Sequence, residues 1–192
     1  MQKILYLHGF HSSPNSEKTT IFTNYVQQHH PEIEVIAPQL PCKPKQVLTM
    51  LKALTEQHQF DGVIGSSLGG YLSTYLHNEL GIPAVLVNPA VKPFELLSDY
   101  LGKQVHPITG EEYELDEQDM HDLKSLYQTQ LANPEKIWLL QQEKDEVLDY
   151  RQALERYKDC KVTFELEGNH SFVGFDRFVS QIIDFFGSAS DR

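Results

Sequence analysis

The sequence predicts an α/β protein built on a doubly wound, mostly parallel sheet of about six strands, with a helical cap insertion in the middle of the chain. Two observations carry this. Short, continuously apolar runs rich in Val, Ile and Leu recur along the 192 residues, the pattern of strands covered on both faces. Stretches of helical period lie between them, and such alternation implies right-handed βαβ units. No internal repeat, low-complexity tract or linker interrupts the series. Residues 1–192 are therefore read as one domain, long enough to enclose a sizeable core.

KILYLHGF supplies the first strand, at Ile4–Leu7. The leading MQKILYLHGF is too short an apolar run for a secretory signal and reads as this buried strand. Pro14 after Ser13 marks a helix start, with TTIFTNYVQQHH as its body. EVIAPQL gives a second strand at Val35–Ala37, and KQVLTMLKALTEQH the next helix. GVIGSS holds a third strand at Val63–Gly65, followed by the helical GGYLSTYLHNEL. Ala84–Val87 in PAVLVNP is the fourth strand. Ile137–Leu140 in KIWLLQQ and Val162–Leu166 in KVTFELE are the fifth and sixth, separated by the helix RQALERYK. FDRFVSQIIDFFG closes the chain as a helix.

Between about Val91 and Pro134 no strand is expected. The segment carries helix-like FELLSDYL and DMHDLKSLY around an acidic loop, TGEEYELDEQD. A connection this long reads as a cap or lid over a site, with an inert surface excursion as the alternative.

The formal net charge is −11 and the isoelectric point near 5.2. Nucleic acid and anionic membrane surfaces are thereby disfavoured as partners, because binding phosphate takes clustered Lys and Arg. No apolar run reaches the roughly 20 residues that span a bilayer. Cys42 and Cys160 are too few for a disulfide framework and lack metal-ligand spacing, so both read as structural thiols in a reducing cytoplasm.

The segment VIGSSLGGYL carries the chemistry. Gly65-Ser66-Ser67-Leu68-Gly69 is G-x-S-x-G centred on Ser67. A serine on a sharp strand-to-helix turn has a strained backbone, and side chains two residues to either side would collide with neighbouring backbone. The turn lifts the central hydroxyl above the sheet edge and leaves the N–H of Leu68 at a helix N-terminus, where it can bind an oxyanion. About one chain in fifteen of this length carries the five-residue pattern by chance. The weight therefore comes from the apolar run before it and the helical run after it. Walker spacing and G-x-G-x-x-G are absent, which disfavours a phosphate-binding turn.

A serine nucleophile needs a base, and the base an orienting acid. In the order serine, acid, histidine, only His170 lies late enough, in FELEGNHSF just past the last strand. The acid should follow KIWLLQQ, where Glu143, Asp145, Glu146 and Asp149 are candidates. Asp149 reads as a helix cap in a capping box with Gln152, and Asp145, in the turn before Val147 and Leu148, is preferred. Its role is to hold the imidazole tautomer rather than to take the proton. His8-Gly9-Phe10 after the first strand offers the second oxyanion donor, the N–H of Phe10, with Gly9 allowing close approach. His8 and His11 read as packing or loop residues.

Taken together, HGF-x-SSP-x-S, PQLP, GSSLGGY, VNPAV-x-PFELL-x-DYLG, TG-x-x-Y, IWLLQQ, DEVLDYRQA and GNH-x-F resemble the small bacterial YqiA-type esterases of the α/β-hydrolase superfamily. The likeness runs from Leu5 to about Phe186. It implies a compact α/β-hydrolase fold lacking the leading antiparallel hairpin of larger members, with Ser67 as nucleophile, Asp145 as acid and His170 as base. It implies ester cleavage and names no physiological ester.

The expectation is thus a serine hydrolase of carboxylic esters working through an acyl-enzyme, with a small-molecule ester substrate and neither metal nor organic cofactor. An acyl thioesterase, a non-catalytic binding module and a peptidase remain alternatives. Phe94, Leu96, Leu97, Tyr100 and Leu101 are candidates for an acyl pocket or for simple packing. Seven acidic residues between Glu111 and Asp122 would repel polyanionic ligands if they face that pocket, which ranks neutral esters above acyl-CoA thioesters.

Overall fold

The structure, a computed structural model, describes residues 2–190. The chain forms β1 (Gln2–Leu7), α1 (Glu17–His29), β2 (Ile33–Ile36), α2 (Pro44–Gln57), β3 (Gly62–Ser66), α3 (Leu68–Leu80) and β4 (Ala84–Val87). It continues through α4 (Pro93–Leu96), β5 (Gly102–Val105), β6 (Glu112–Leu115), α5 (Glu117–Ser125) and β7 (Ile137–Gln142). It ends with α6 (Tyr150–Arg156), β8 (Lys161–Glu165) and α7 (Val179–Ser190).

Six strands make one sheet in the order β2-β1-β3-β4-β7-β8, and every neighbouring pair is parallel. The chain steps outward from β1 to β2, then crosses back to β3. Open α/β sheets leave a crevice beyond the carboxyl ends of the strands where the order reverses. His8-Gly9-Phe10 leaves β1 at that point, and Ser67 leaves β3 beside it.

The strands read as unbroken apolar runs because both sheet faces are covered. Leu5, Leu7, Val63, Leu86 and Leu139 point to one side and pack with residues of α2, α3 and α6, among them Leu51, Leu72 and Ala153. Ile4, Tyr6, Ile64, Val85 and Trp138 point to the other and pack with α1 and α7 through Phe22, Ile182 and Phe186. Each such side chain, fully removed from water, contributes about 1.5–3 kcal/mol. β8 lies at the sheet edge and is only partly covered. Among the described residues no helix is long and apolar enough to cross a membrane.

Three local expectations are corrected. The first helix begins at Glu17 after Ser16, not at Pro14. The Ser13 hydroxyl accepts the Asn15 N–H and its carbonyl the Ser16 N–H, and a local turn of this kind competes with a helix start. Asp149 caps α6 by accepting the Arg151 N–H at 3.0 Å, but Gln152 gives its backbone N–H to the Asp149 carbonyl and no reciprocal box forms. The capping box lies instead at the start of α5, between Asp116 and Asp119.

The third correction concerns residues 91–134. The segment holds α4, a 3₁₀ turn at Leu97–Tyr100 and α5, as its helix-like stretches imply. It also holds an unexpected antiparallel pair, β5 with β6, in which Gly102 faces Leu115 and Val105 faces Glu112. Each strand is four residues long. The alternation of Glu112, Tyr113, Glu114 and Leu115 is a period-two signal, hidden by the surrounding acidic residues.

Candidate active site

Ser67 sits between β3 and α3 with φ 56° and ψ −118°. A non-glycine residue there costs on the order of 1–3 kcal/mol and persists only where its surroundings over-determine it. They do: the Ser67 N–H donates to the Val87 carbonyl at 3.1 Å, and its carbonyl accepts the N–H of Ala90 and of Gly70. A Cβ on Gly65 would overlap the Gly69 carbonyl, and a Cβ on Gly69 would overlap the carbonyls of Leu7 and His8. The two motif glycines therefore let the turn press against its own helix and against β1. Leu68 is the first residue of α3, so its N–H has no acceptor within the helix.

Gly9 brings the loop after β1 against this turn. A Cβ there would stand 3.2 Å from Ser67 Cβ and 3.8 Å from its hydroxyl. His8 fixes the neighbouring peptide. Its Nε2 accepts the Leu40 N–H at 3.0 Å, so the proton is on Nδ1, which donates to the Gly9 carbonyl at 2.8 Å. The Gly9 carbonyl and the Phe10 N–H share one planar trans peptide and point in opposite directions. His8 thereby sets the direction of the Phe10 N–H. Burial holds His8 below the usual histidine range, the Gly9 carbonyl partly offsets this, and His106 adds to it.

At the far end of the sheet, β7 runs into the turn holding the candidate acids. The Asp145 side chain is fully buried, and Oδ1 accepts the N–H groups of Val147 and Leu148, both at 2.9 Å. His170 Nδ1 stands 2.8 Å from Asp145 Oδ2 and 3.0 Å from Oδ1. A carboxylate only accepts, so Nδ1 carries the proton and the lone pair lies on Nε2.

The other three candidates do different things. Glu146 accepts the backbone N–H of His170 at 3.0 Å, which holds its carboxyl below the usual range. Glu143 accepts from the Tyr150 hydroxyl, and Asp149 caps α6. Asn88 links the His170 loop to the turn at Ser67: its side-chain amide donates to the His170 carbonyl at 3.2 Å. Asn88 directly follows Val87, the residue that accepts from Ser67 N–H. Among the described residues no hydrogen bond joins Ser67 Oγ to the imidazole. Sequence reasoning missed Asn88 and Gln142, and it offered Glu146 only as an alternative acid, not as the acceptor of the His170 N–H. Its available signal was the appearance of polar residues directly after the apolar runs AVLV and IWLL.

A narrow cavity of about 30 Å³ opens beside Gly9, Phe10 and Leu68. Leu40 and Leu72 form part of its wall, and Leu97, Tyr113, Leu115 and Leu126 of the 91–134 segment close it. Of the residues offered for an acyl pocket, only Leu97 lines this cavity. Phe94 packs edge-on against Tyr127, and Leu96, Tyr100 and Leu101 are exposed. Tyr113 and Leu115 face the cavity, so their neighbours Glu112 and Glu114 on β6 point away from it. Glu111 approaches its rim, accepting from the Cys42 thiol. Burial and Glu111 push that thiol up to about 11, and burial pushes Cys160 up to about 12. Neither cysteine is activated as a nucleophile.

This topology and this turn define an α/β-hydrolase fold, and solved structures with the same fold align over almost the whole chain. A putative hydrolase from Agrobacterium vitis S4 is 18% identical with a TM-score of 0.74, over 96% of this chain and 88% of that one. Alpha/beta hydrolase domain-containing protein 10 from mouse is 14% identical with a TM-score of 0.75, over 97% and 90%. The esterase domain of a Rhodothermus marinus protein is 15% identical with a TM-score of 0.66, over 99% and 87%. The chain belongs to the family described as Uncharacterised protein family (UPF0227), whose model matches residues 3–187, in keeping with the resemblance to YqiA-type proteins drawn from the motifs.

Proposed function

We propose that this protein is a serine hydrolase of carboxylic esters. The observation that carries the proposal is the Asp145–His170 pair, whose imidazole has its free lone pair on Nε2 and whose loop is tied to the strained turn at Ser67. In this reading His170 Nε2 takes the Ser67 proton as Oγ attacks the ester carbonyl. The Ser67–His170 contact is one the substrate complex must complete, and catalytic hydrogen bonds often tighten on substrate binding. The N–H groups of Leu68 and Phe10 hold the developing oxyanion. His170 then returns the proton to the leaving alkoxide, and water repeats the sequence on the acyl-enzyme.

The cavity beside Leu68 supports a neutral, apolar acyl group of few carbons, because its wall is mostly apolar, with polar exceptions that include His11, His106 and Tyr113, and its free volume is small. The segment 91–134 acts as its cap, supplying Leu97, Leu115 and Leu126. The names of the similar structures, which include a putative hydrolase and an esterase domain, support the same class of reaction. p-Nitrophenyl acetate with wild-type protein and with Ser67→Ala tests the proposal. Turnover is expected from the first and none above background from the second, and equal rates would refute it. An acyl thioester of the same chain length, assayed in parallel, separates esterase from thioesterase.

A further inference from the structure

The loop that carries His170 has no helix or strand of its own, so its position depends on where its peptide groups find partners. Most of those partners are side chains. On the exposed side Glu146 accepts the His170 N–H, and Lys18 Nζ donates to the Ser171 carbonyl at 2.9 Å. On the inner side lie two buried amides, Asn88 and Gln142, exposed by 0% and 2%.

Their hydrogen bonds are close to saturated. Asn88 Nδ2 donates to the carbonyls of Asn169 at 2.9 Å and His170 at 3.2 Å. Asn88 Oδ1 accepts the backbone N–H of Gln142 at 2.9 Å. Gln142 Oε1 accepts the N–H of Asn169 at 3.2 Å and of Val173 at 2.9 Å. Gln142 Nε2 donates to the Val173 carbonyl at 2.9 Å and to Glu165 Oε2 at 2.8 Å. Gly168, at φ 98°, lies against this amide so closely that a Cβ would overlap it.

Asn88 itself is anchored between the other two parts of the site. Its N–H donates to the Leu140 carbonyl on β7, the strand leading to Asp145. It directly follows Val87, which accepts from Ser67 N–H. Its φ of 40° is left-handed, a region where asparagine is enriched. One residue is thus bonded to the acid-bearing strand and to the histidine loop, and sits one peptide away from the nucleophile's own acceptor.

We propose that Asn88 and Gln142 form a buried amide clamp that positions the His170 imidazole between Asp145 and Ser67. The proposal rests on the hydrolase reading above. Both are positioning residues, acting through the loop and not on substrate. A displacement of about 1 Å at a catalytic group can cost roughly 10²-fold in rate, which sets the size of the effect.

The test uses Asn88→Gly, which keeps a left-handed backbone available and deletes the amide, and Asn88→Asp, which keeps the shape but turns a donor towards two carbonyls into an acceptor. With p-nitrophenyl acetate, both are expected to lower kcat by roughly 10²-fold with KM nearly unchanged, and to move the acid limb of the pH–kcat/KM profile that reports the base. The low-field proton resonance of His170 Nδ1–H is expected in the wild type and in Ser67→Ala, and is expected to be lost or shifted in Asn88→Gly. Folded variants with wild-type kcat, pH profile and resonance would overturn the clamp. Loss of the native near-ultraviolet signal in both variants would also overturn it, by showing that the amide holds the fold as a whole. A wild-type protein that has the resonance but turns over no ester would remove the hydrolase reading and leave the clamp standing as a structural finding.

Discussion

Nδ1 of His170 lies 2.8 Å from Oδ2 of Asp145, while the adjacent Glu146 accepts the backbone N–H of the same histidine. Two neighbouring carboxylates thus divide the work, one on the ring and one on the main chain. The division has a kinetic consequence. In Asp145→Asn the N–H groups of Val147 and Leu148 hold the amide oxygen, so the NH2 faces Nδ1 and imposes the wrong tautomer; kcat is expected to fall by about 10⁴-fold. Glu146→Gln keeps an acceptor oxygen for the N–H and is expected to cost less than about tenfold. Steady-state rates on one ester decide this, and equal losses in the two variants would assign the orienting role wrongly.

The elbow glycines have no room for a methyl group. Gly69→Ala would drive a Cβ into the Leu7 and His8 carbonyls, which are backbone and cannot swing aside. Overpacking of this kind costs about 1–3 kcal/mol or more. The urea midpoint of Gly69→Ala is expected to fall accordingly, together with activity. An unchanged midpoint would mean that the turn is looser than its geometry implies.

Much of this was legible in the sequence, and the reasons are physical. The parallel strands announced themselves because both faces of the sheet are covered, so Ala84–Val87 and Ile137–Leu140 carry no polar residue to break the run. Ser67 stood out because a strained turn in a tight space demands glycines at fixed offsets. β5 and β6 did not, since four-residue strands with one covered face leave a faint trace. Asn88 and Gln142 showed only as polar residues ending two apolar runs, and their role was hidden because their partners lie far away in the chain, at Asn169 to Val173. Local periodicity carries no information about such contacts.

The cavity makes a claim about size. Leu97→Ala removes part of the wall supplied by the 91–134 segment, and large-to-small changes at a buried leucine cost about 2–5 kcal/mol. Stability is expected to fall within that range, while the preferred p-nitrophenyl ester shifts to a longer acyl chain. An unaltered chain-length profile in a folded variant would place the acyl group elsewhere.

His8 and His11 are both held below the usual histidine range, with burial as the main cause. Below about pH 6.5 the unfolded chain therefore binds protons at these positions that the folded chain does not. Stability contributed by the neutral rings is complete above that value and is lost as pH falls. The Tm is expected to drop between pH 7 and pH 5, and His8→Gln to flatten the dependence by at most one proton, about 1.36 kcal/mol per pH unit. A steeper dependence in the variant would contradict the sign.

The most direct measurement is covalent labelling with a fluorophosphonate, read by peptide mass spectrometry. The account requires one adduct, on Ser67, in the wild type, slowed in Asp145→Asn and abolished in Ser67→Ala. A wild-type protein that stays unlabelled under conditions that modify an active serine hydrolase, or that carries the adduct on another residue, would contradict it.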